Sequence, residues 1–165
     1  MKQNLFLKLL ALVACLSSAL SATAYDFAAK SNDRYLYYNI TGTNTVEVTY
    51  QDLDNNYFFH EDETVIIPST VTNPNTNRSY TVTAIGDQAF QRGYYTTLYL
   101  LRNISIPSTV TRIGRMAFYE QRKLTSLTLP SSITTIGDYA FSQMDALTSL
   151  NIPNSVTSLG EYFLS

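Results

Sequence analysis

The sequence predicts a repeat solenoid, mostly β with short helical or 3-10 turns and with an N-terminal β-hairpin cap. The first observation is a fixed period. Residues 124–165 match themselves at an interval of 23, pairing Pro130 with Pro153, Gly137 with Gly160, Ile136 with Leu159 and Leu127 with Leu150. Self-similarity at a period of this size is the signature of stacked supersecondary units. The second is that the same frame runs backwards through Leu101, Ile104, Ile106, Pro107, Ile113, Gly114, Ala117 and Phe118. The third is that residues 25–60 lack the frame and alternate instead as aromatic and β-branched strands.

Residues 1–24 read as a targeting segment. Lys2 and Lys8 supply positive charge, the run Leu9 to Ala14 is apolar, and Ala22-Thr23-Ala24 is a cleavage pattern. Cleavage after Ala24 is the favoured route. Lipidation at Cys15, within Leu12-Val13-Ala14-Cys15, is the alternative. Lys8 interrupts the apolar run that a membrane span needs, so no membrane insertion is expected of the mature chain.

Removing 24 of 165 residues leaves 141, one domain by length. The mature chain holds nine basic and thirteen acidic residues, a net charge of −4 without blocks of like sign. That balance gives no footprint for nucleic acid. Cys15 is the only cysteine, so the mature fold rests on packing alone.

In the cap, residues 35–40 and 45–50 are the two predicted strands, joined by a turn at Thr41-Gly42-Thr43-Asn44. This hairpin is expected to pair with the first repeat and cover its apolar end, as terminal units of solenoids do. The repeats occupy residues 61–165 in about four units, the last incomplete. In the first unit Pro68 and Gly86 lie 18 residues apart, against 7 in the later ones. The insertion holds a polar turn, Asn73-Pro74-Asn75-Thr76-Asn77-Arg78, expected to join strands over residues 64–71 and 80–85. A second insertion follows Phe90, around Arg92-Gly93-Tyr94-Tyr95. The chain stops at Ser165 within the fourth turn, and a piece of a longer array is the expectation.

Within a unit, Leu124, Leu127 and Leu129 alternate at the end with Ser126 and Thr128, the period of a half-buried strand. Pro130 ends that ladder because it has no N–H. Ile133 and Ile136 form a second apolar segment, closed by Gly137. Gly-Asp-Tyr-Ala-Phe reads as one helical or 3-10 turn that buries Ala140 and Phe141. Stacking places Leu on Leu and Phe on Phe in columns.

The unit L-x-x-L-x-I-P-x-x-V-T-x-I-G-x-x-A-F resembles the BspA-type leucine-rich repeat. Gln121 and Met144 depart from that family's pattern, which has Cys or a small residue three positions after Phe. Tyr25-Asp26-Phe27 and the Tyr-Tyr-Asn-Ile run also resemble the segment preceding the family's repeats. The resemblance implies a secreted or cell-surface protein that adheres to host matrix or cells.

No catalytic constellation emerges. His60 is the sole histidine, with no triad partner or second metal ligand in spacing. Asp52, Asp54, Asn56 and Glu63 echo a calcium loop, but Tyr57 stands where the sharp turn needs Gly. Asn39, Asn77 and Asn103 begin N-x-S/T sequons of the kind a chain rich in Asn, Ser and Thr makes by chance. No enzyme activity, cofactor or metal is expected. The remaining candidate is the outward strand face. Asn103, Ser126 and Ser149 are expected in one column with Thr64, and Ser105, Thr128 and Asn151 in the next with Ile66, beside Arg102, Thr125 and Thr148. Their hydroxyls and amides suit an extracellular protein or glycan ligand. A solvated face whose threonines merely favour strands is the alternative, and a structural spacer within a longer surface protein is the matching second function.

Overall fold

The computed structural model describes residues 25–32, 34–50, 64–91 and 101–165. The leader expected over residues 1–24 with Cys15, the acidic run through His60 to Glu63 and the insertion around Tyr94 lie outside the described residues.

Three antiparallel strands begin the fold: β1 (Phe27–Ser31), β2 (Arg34–Ile40) and β3 (Thr45–Thr49). The two strands expected here are β2 and β3, and Thr41 N–H closes their turn on Thr45 C=O at 3.0 Å. β1 was not expected. It pairs along β2 from Phe27 against Tyr38 to Ser31 against Arg34. Alternation buries Phe27, Leu36, Tyr38, Val46 and Val48, and the Phe27 ring stacks on Tyr38 at 5.3 Å.

The expected strand over residues 64–71 is instead two strands in different sheets. β4 (Thr64–Ile66) pairs with β7 (Asn103–Ser105), whereas β5 (Thr70–Asn73) pairs with β6 (Arg78–Ile85). The pairing with β7 ends at a proline. Ile67 N–H makes a last bond to Ser105 C=O, and the donor that Ile67 C=O would need next belongs to residue 107, Pro107, which has no N–H. The Asn73–Arg78 turn forms as expected, with Asn77 N–H on Asn73 C=O and Asn75 N–H on Asn73 Oδ1.

β3 runs parallel to β6, which joins cap to repeats with a register shift after Val46. From β6 the sheet continues in parallel through β8 (Arg112–Ile113), β9 (Thr135–Ile136) and β10 (Ser158–Leu159). Ile85, Ile113, Ile136 and Leu159 stand in register across it. On the other side of each unit the counterpart is β4 with β7 and a bridge between Leu127 and Leu150.

The residues after each glycine form hydrogen-bonded turns rather than the expected helical or 3-10 turns. Gln88, Met116 and Tyr139 have φ of 58°, 55° and 54°, and Glu120 and Gln143 have 61° and 57°. A left-handed residue two places after the glycine ends helical propagation before a full turn is made. The turn buries Ala117 with Phe118 and Ala140 with Phe141. Phe90 stacks on Phe118 at 5.4 Å and Phe118 on Phe141 at 5.7 Å, with planes 11° and 18° apart. The glycines serve close approach, since none of those described has positive φ. A Cβ on Gly137 would lie 2.6 Å from Arg115 N and 2.7 Å from Gly114 C.

Candidate binding surface

Two kinds of polar strip run along the stacked units, and they differ in what their side chains do. The first accompanies β8, β9 and β10. Thr111, Thr134 and Thr157 each donate a backbone N–H to the threonine carbonyl one unit earlier, beginning at Thr83. Each also turns its Oγ1 onto that same carbonyl, at 3.3, 3.2 and 3.4 Å. Ser132 and Ser155 hydroxyls close on Val110 and Ile133 carbonyls at 2.6 Å. These hydroxyls are consumed in holding units together.

The second strip is the predicted strand face. Asn103, Ser105, Ser126, Thr128, Ser149 and Asn151 are all exposed. Parallel pairing sets Thr64 beside Asn103 and Ile66 beside Ser105. The Leu127–Leu150 bridge sets Ser126 and Thr128 beside Ser149 and Asn151. Thr148 N–H and Oγ1 both meet Thr125 C=O, at 3.3 and 3.4 Å, on the flank of that bridge. Among the described residues the hydrogen-bonded ladder comes in two pieces, one at β4 and β7 and one at Leu127 and Leu150. None of the six side chains makes a hydrogen bond within the protein among those described. Ile66, 41% exposed, adds an apolar spot to an otherwise polar face.

Sequence reasoning missed three features. Arg112 bridges cap and repeats, reaching Glu47 Oε2 at 3.2 Å and Asp87 Oδ1 at 2.7 Å. Asp87 Oδ1 also accepts Arg115 N–H at 3.0 Å. Burial pushes the Glu47 carboxyl above the usual carboxylate range, against the opposing pull of Arg112. Asp87 and Asp138 stand alike after Gly86 and Gly137, and their carboxylates cap Arg115 N–H and Glu161 N–H. The Arg112 partner of Asp87 has no counterpart one unit on, where Thr135 stands. Second, buried Gln121 donates to Phe90 C=O and accepts Leu101 N–H at 2.8 Å. Its amide thus ties together the two chain ends that flank residues 92–100, which explains a polar residue at that interior place. Third, Tyr139 and Tyr162 stack at 5.4 Å on the exposed turn.

No group of three or more His, Cys, Asp or Glu that could hold a metal ion occurs among the described residues. No helix among them is long and apolar enough to cross a membrane.

Residues 83–165 match the BspA type Leucine rich repeat region in six copies. The chain belongs to the BspA-type leucine-rich repeat family. A solved leucine-rich repeat protein from Bacteroides ovatus is 34% identical with a TM-score of 0.65, over 82% of this chain and 32% of that one. A leucine-rich repeat protein from Bacteroides capillosus is 26% identical with a TM-score of 0.62, over 81% and 88%. A leucine rich cell surface protein from Faecalibacterium prausnitzii is 30% identical with a TM-score of 0.61, over 84% and 34%. The chain therefore spans about a third of the Bacteroides ovatus and Faecalibacterium proteins. The comparison with curated proteins returns no match.

Proposed function

We propose that this protein is exported, by a leader cleaved after Ala24, and binds an extracellular protein or glycan through its strand face, in adhesion to host matrix or cells. It has no catalytic role in this reading. The observation that carries the reading is the contrast between strips. Hydroxyls beside β8, β9 and β10 are spent on neighbouring carbonyls, while Asn103, Ser105, Ser126, Thr128, Ser149 and Asn151 are exposed and unengaged. Neighbouring strands are about 4.8 Å apart, so the face presents closely spaced donors and acceptors that break no internal hydrogen bond to meet a ligand. Its cell-surface relative supports the location.

The test is a binding screen of residues 25–165 against matrix proteins and glycan arrays, beside the double variant Ser126→Arg, Thr128→Arg. A ligand lost in the folded variant supports the reading. A ligand retained moves the site to the insertions around Asn75 and Tyr94. A second reading, a structural spacer within a longer array, is favoured by the third of each longer relative that this chain covers. It predicts no ligand in the same screen.

A further inference from the structure

Beyond the expected leader the chain has no thiol, so its units have no disulfide, the bond with which exported chains fasten their parts. It is rich in tyrosine instead, with 13 in all, and one pair of them spans a unit boundary on the surface. Tyr139 and Tyr162 are one unit apart, each two residues after its glycine. Their φ values are 54° and 50°, and Tyr139 N–H bonds Glu161 C=O at 3.0 Å. The matching backbones set the two rings face to face, with centroids 5.4 Å apart and planes 17° from parallel. Both are open to solvent, at 36% and 62% exposure.

The repeat itself does not require phenols here. Earlier units carry Gln88 and Met116 at the same place with the same left-handed backbone. A bulky ring in that region of φ is uncommon, so its recurrence in two neighbouring units is not a demand of the turn. Phe118 and Phe141 stack at a similar distance in the interior, but they carry no hydroxyl and no solvent reaches them. Tyr25 and Tyr37 lie closer, with centroids 4.6 Å apart, but their planes are 56° apart and both are half-buried. Among the described residues, Tyr139 and Tyr162 combine two phenols, near-parallel rings and open access.

We propose that Tyr139 and Tyr162 are an oxidative cross-linking site, where a dityrosine bond clips neighbouring units together. The oxidant is hydrogen peroxide acting through an extracellular haem peroxidase. Each phenol gives up one electron and its hydroxyl proton and becomes a phenoxyl radical, with spin on the ring carbons beside the hydroxyl, Cε1 and Cε2. One Cε of each ring forms the new carbon–carbon bond. The hydrogen on each of those carbons then moves to the ring's oxygen, which restores both aromatic rings and both hydroxyls. Two electrons and two protons leave in all, and they reduce one peroxide to two waters. Both side chains are exposed, and rotation about χ1 and χ2 brings a Cε of one ring onto a Cε of the other. The bond closes the loop from residue 139 to residue 162 and restrains the unfolded chain as a disulfide of that span would. The site is distinct from the strand face and stands without it.

The test treats residues 25–165 with a haem peroxidase and limiting hydrogen peroxide, then separates monomer from oligomer by size exclusion. A protease cutting before Asp138 and Asp145 leaves Tyr139 and Tyr162 as the sole tyrosines of peptides 138–144 and 145–165. The expected monomer product is these two peptides joined, at their summed mass less two hydrogens, with dityrosine fluorescence. Tyr139→Phe or Tyr162→Phe keeps a ring in the stack and should abolish the joined product. Tyr35→Phe, at an exposed tyrosine of the cap, should leave it unchanged. The cross-linked monomer should melt above the untreated protein. A joined product formed as readily by the chain in urea overturns the proposal, because proximity in the fold would not be its cause. So does joining confined to the oligomer fraction, a joined product that survives either Phe variant, or oxidation of Tyr35 that leaves the two peptides separate. An unchanged melt of the cross-linked monomer overturns the clip.

Discussion

Cutting Phe118 to Ala removes the middle ring of the aromatic column. Phe118 is fully buried and is stacked on both faces, at 5.4 Å by Phe90 and at 5.7 Å by Phe141. A buried Phe→Ala change costs about 3–5 kcal/mol in transfer and cavity terms. Two stacked pairs are lost here, and the units above and below are held by neighbour contacts alone, so the upper end of about 5 kcal/mol is expected. Against a total stability of about 5–15 kcal/mol, this is a third of the fold or more. For a chain of this size the melting temperature should fall by roughly 10–20 °C. Thermal unfolding followed by circular dichroism measures it, with Tyr139→Ala as the comparison. Tyr139 stacks equally well on Tyr162 but is 36% exposed, so its loss should cost about 1 kcal/mol or less. A Phe118→Ala variant melting within about 2 °C of the parent would refute the column as the core of the stack.

Further outcomes follow from single contacts. Gly137→Ala should destabilise by about 2 kcal/mol or more, because the atoms a Cβ would meet are the Arg115 and Gly114 backbone, which cannot yield; unchanged thermal melting would contradict this. Tyr38→Phe should be neutral or stabilising, since Tyr38 Oη is buried with no hydrogen-bond partner among the described residues; a loss near 2 kcal/mol in urea would reveal a bond. Gln121→Ala should cost roughly 2–4 kcal/mol by leaving Phe90 C=O and Leu101 N–H unpaired; chemical denaturation that matches the parent would sink the tie. For Glu47, burial raises the folded pKa, so the folded state binds more protons than the unfolded one in the window from the ordinary carboxylate value up to the raised one. Its contribution to stability is therefore largest below that window and is lost as pH rises through it. Glu47→Gln should flatten this part of the melting-temperature profile, and an unaltered slope would contradict the shift.

The sequence carried the repeats because their physics is periodic. Leu127, Ile136 and Phe141 recur every 23 residues because each must meet its own kind in the neighbouring unit. The strand face was legible for the same reason, since period-2 alternation puts Ser126 and Thr128 opposite Leu127 and Leu129. Features that depend on one residue were not legible. Phe27-Ala28-Ala29-Lys30-Ser31 has too little alternation to read as a strand, and pairing with β2 creates it. Pro68 marked a strand end, but not that the chain would cross to the other sheet. The turns hid their left-handed residues, because Met116, Tyr139 and Gln143 are not types that announce positive φ. Gln121 looked like a lapse in the repeat, and only folding shows the two backbone groups that require an amide there.

On the proposed reading the strand face, and not the hydroxyl strip beside β8 to β10, receives the ligand. The direct measurement compares two folded variants against a matrix or glycan ligand taken from the screen. One carries Ser126→Arg with Thr128→Arg, and the other carries Thr134→Val with Thr157→Val. Affinity lost about tenfold or more in the first and kept in the second is the predicted result. Affinity kept in the first and lost in the second would instead place the ligand on the hydroxyl strip.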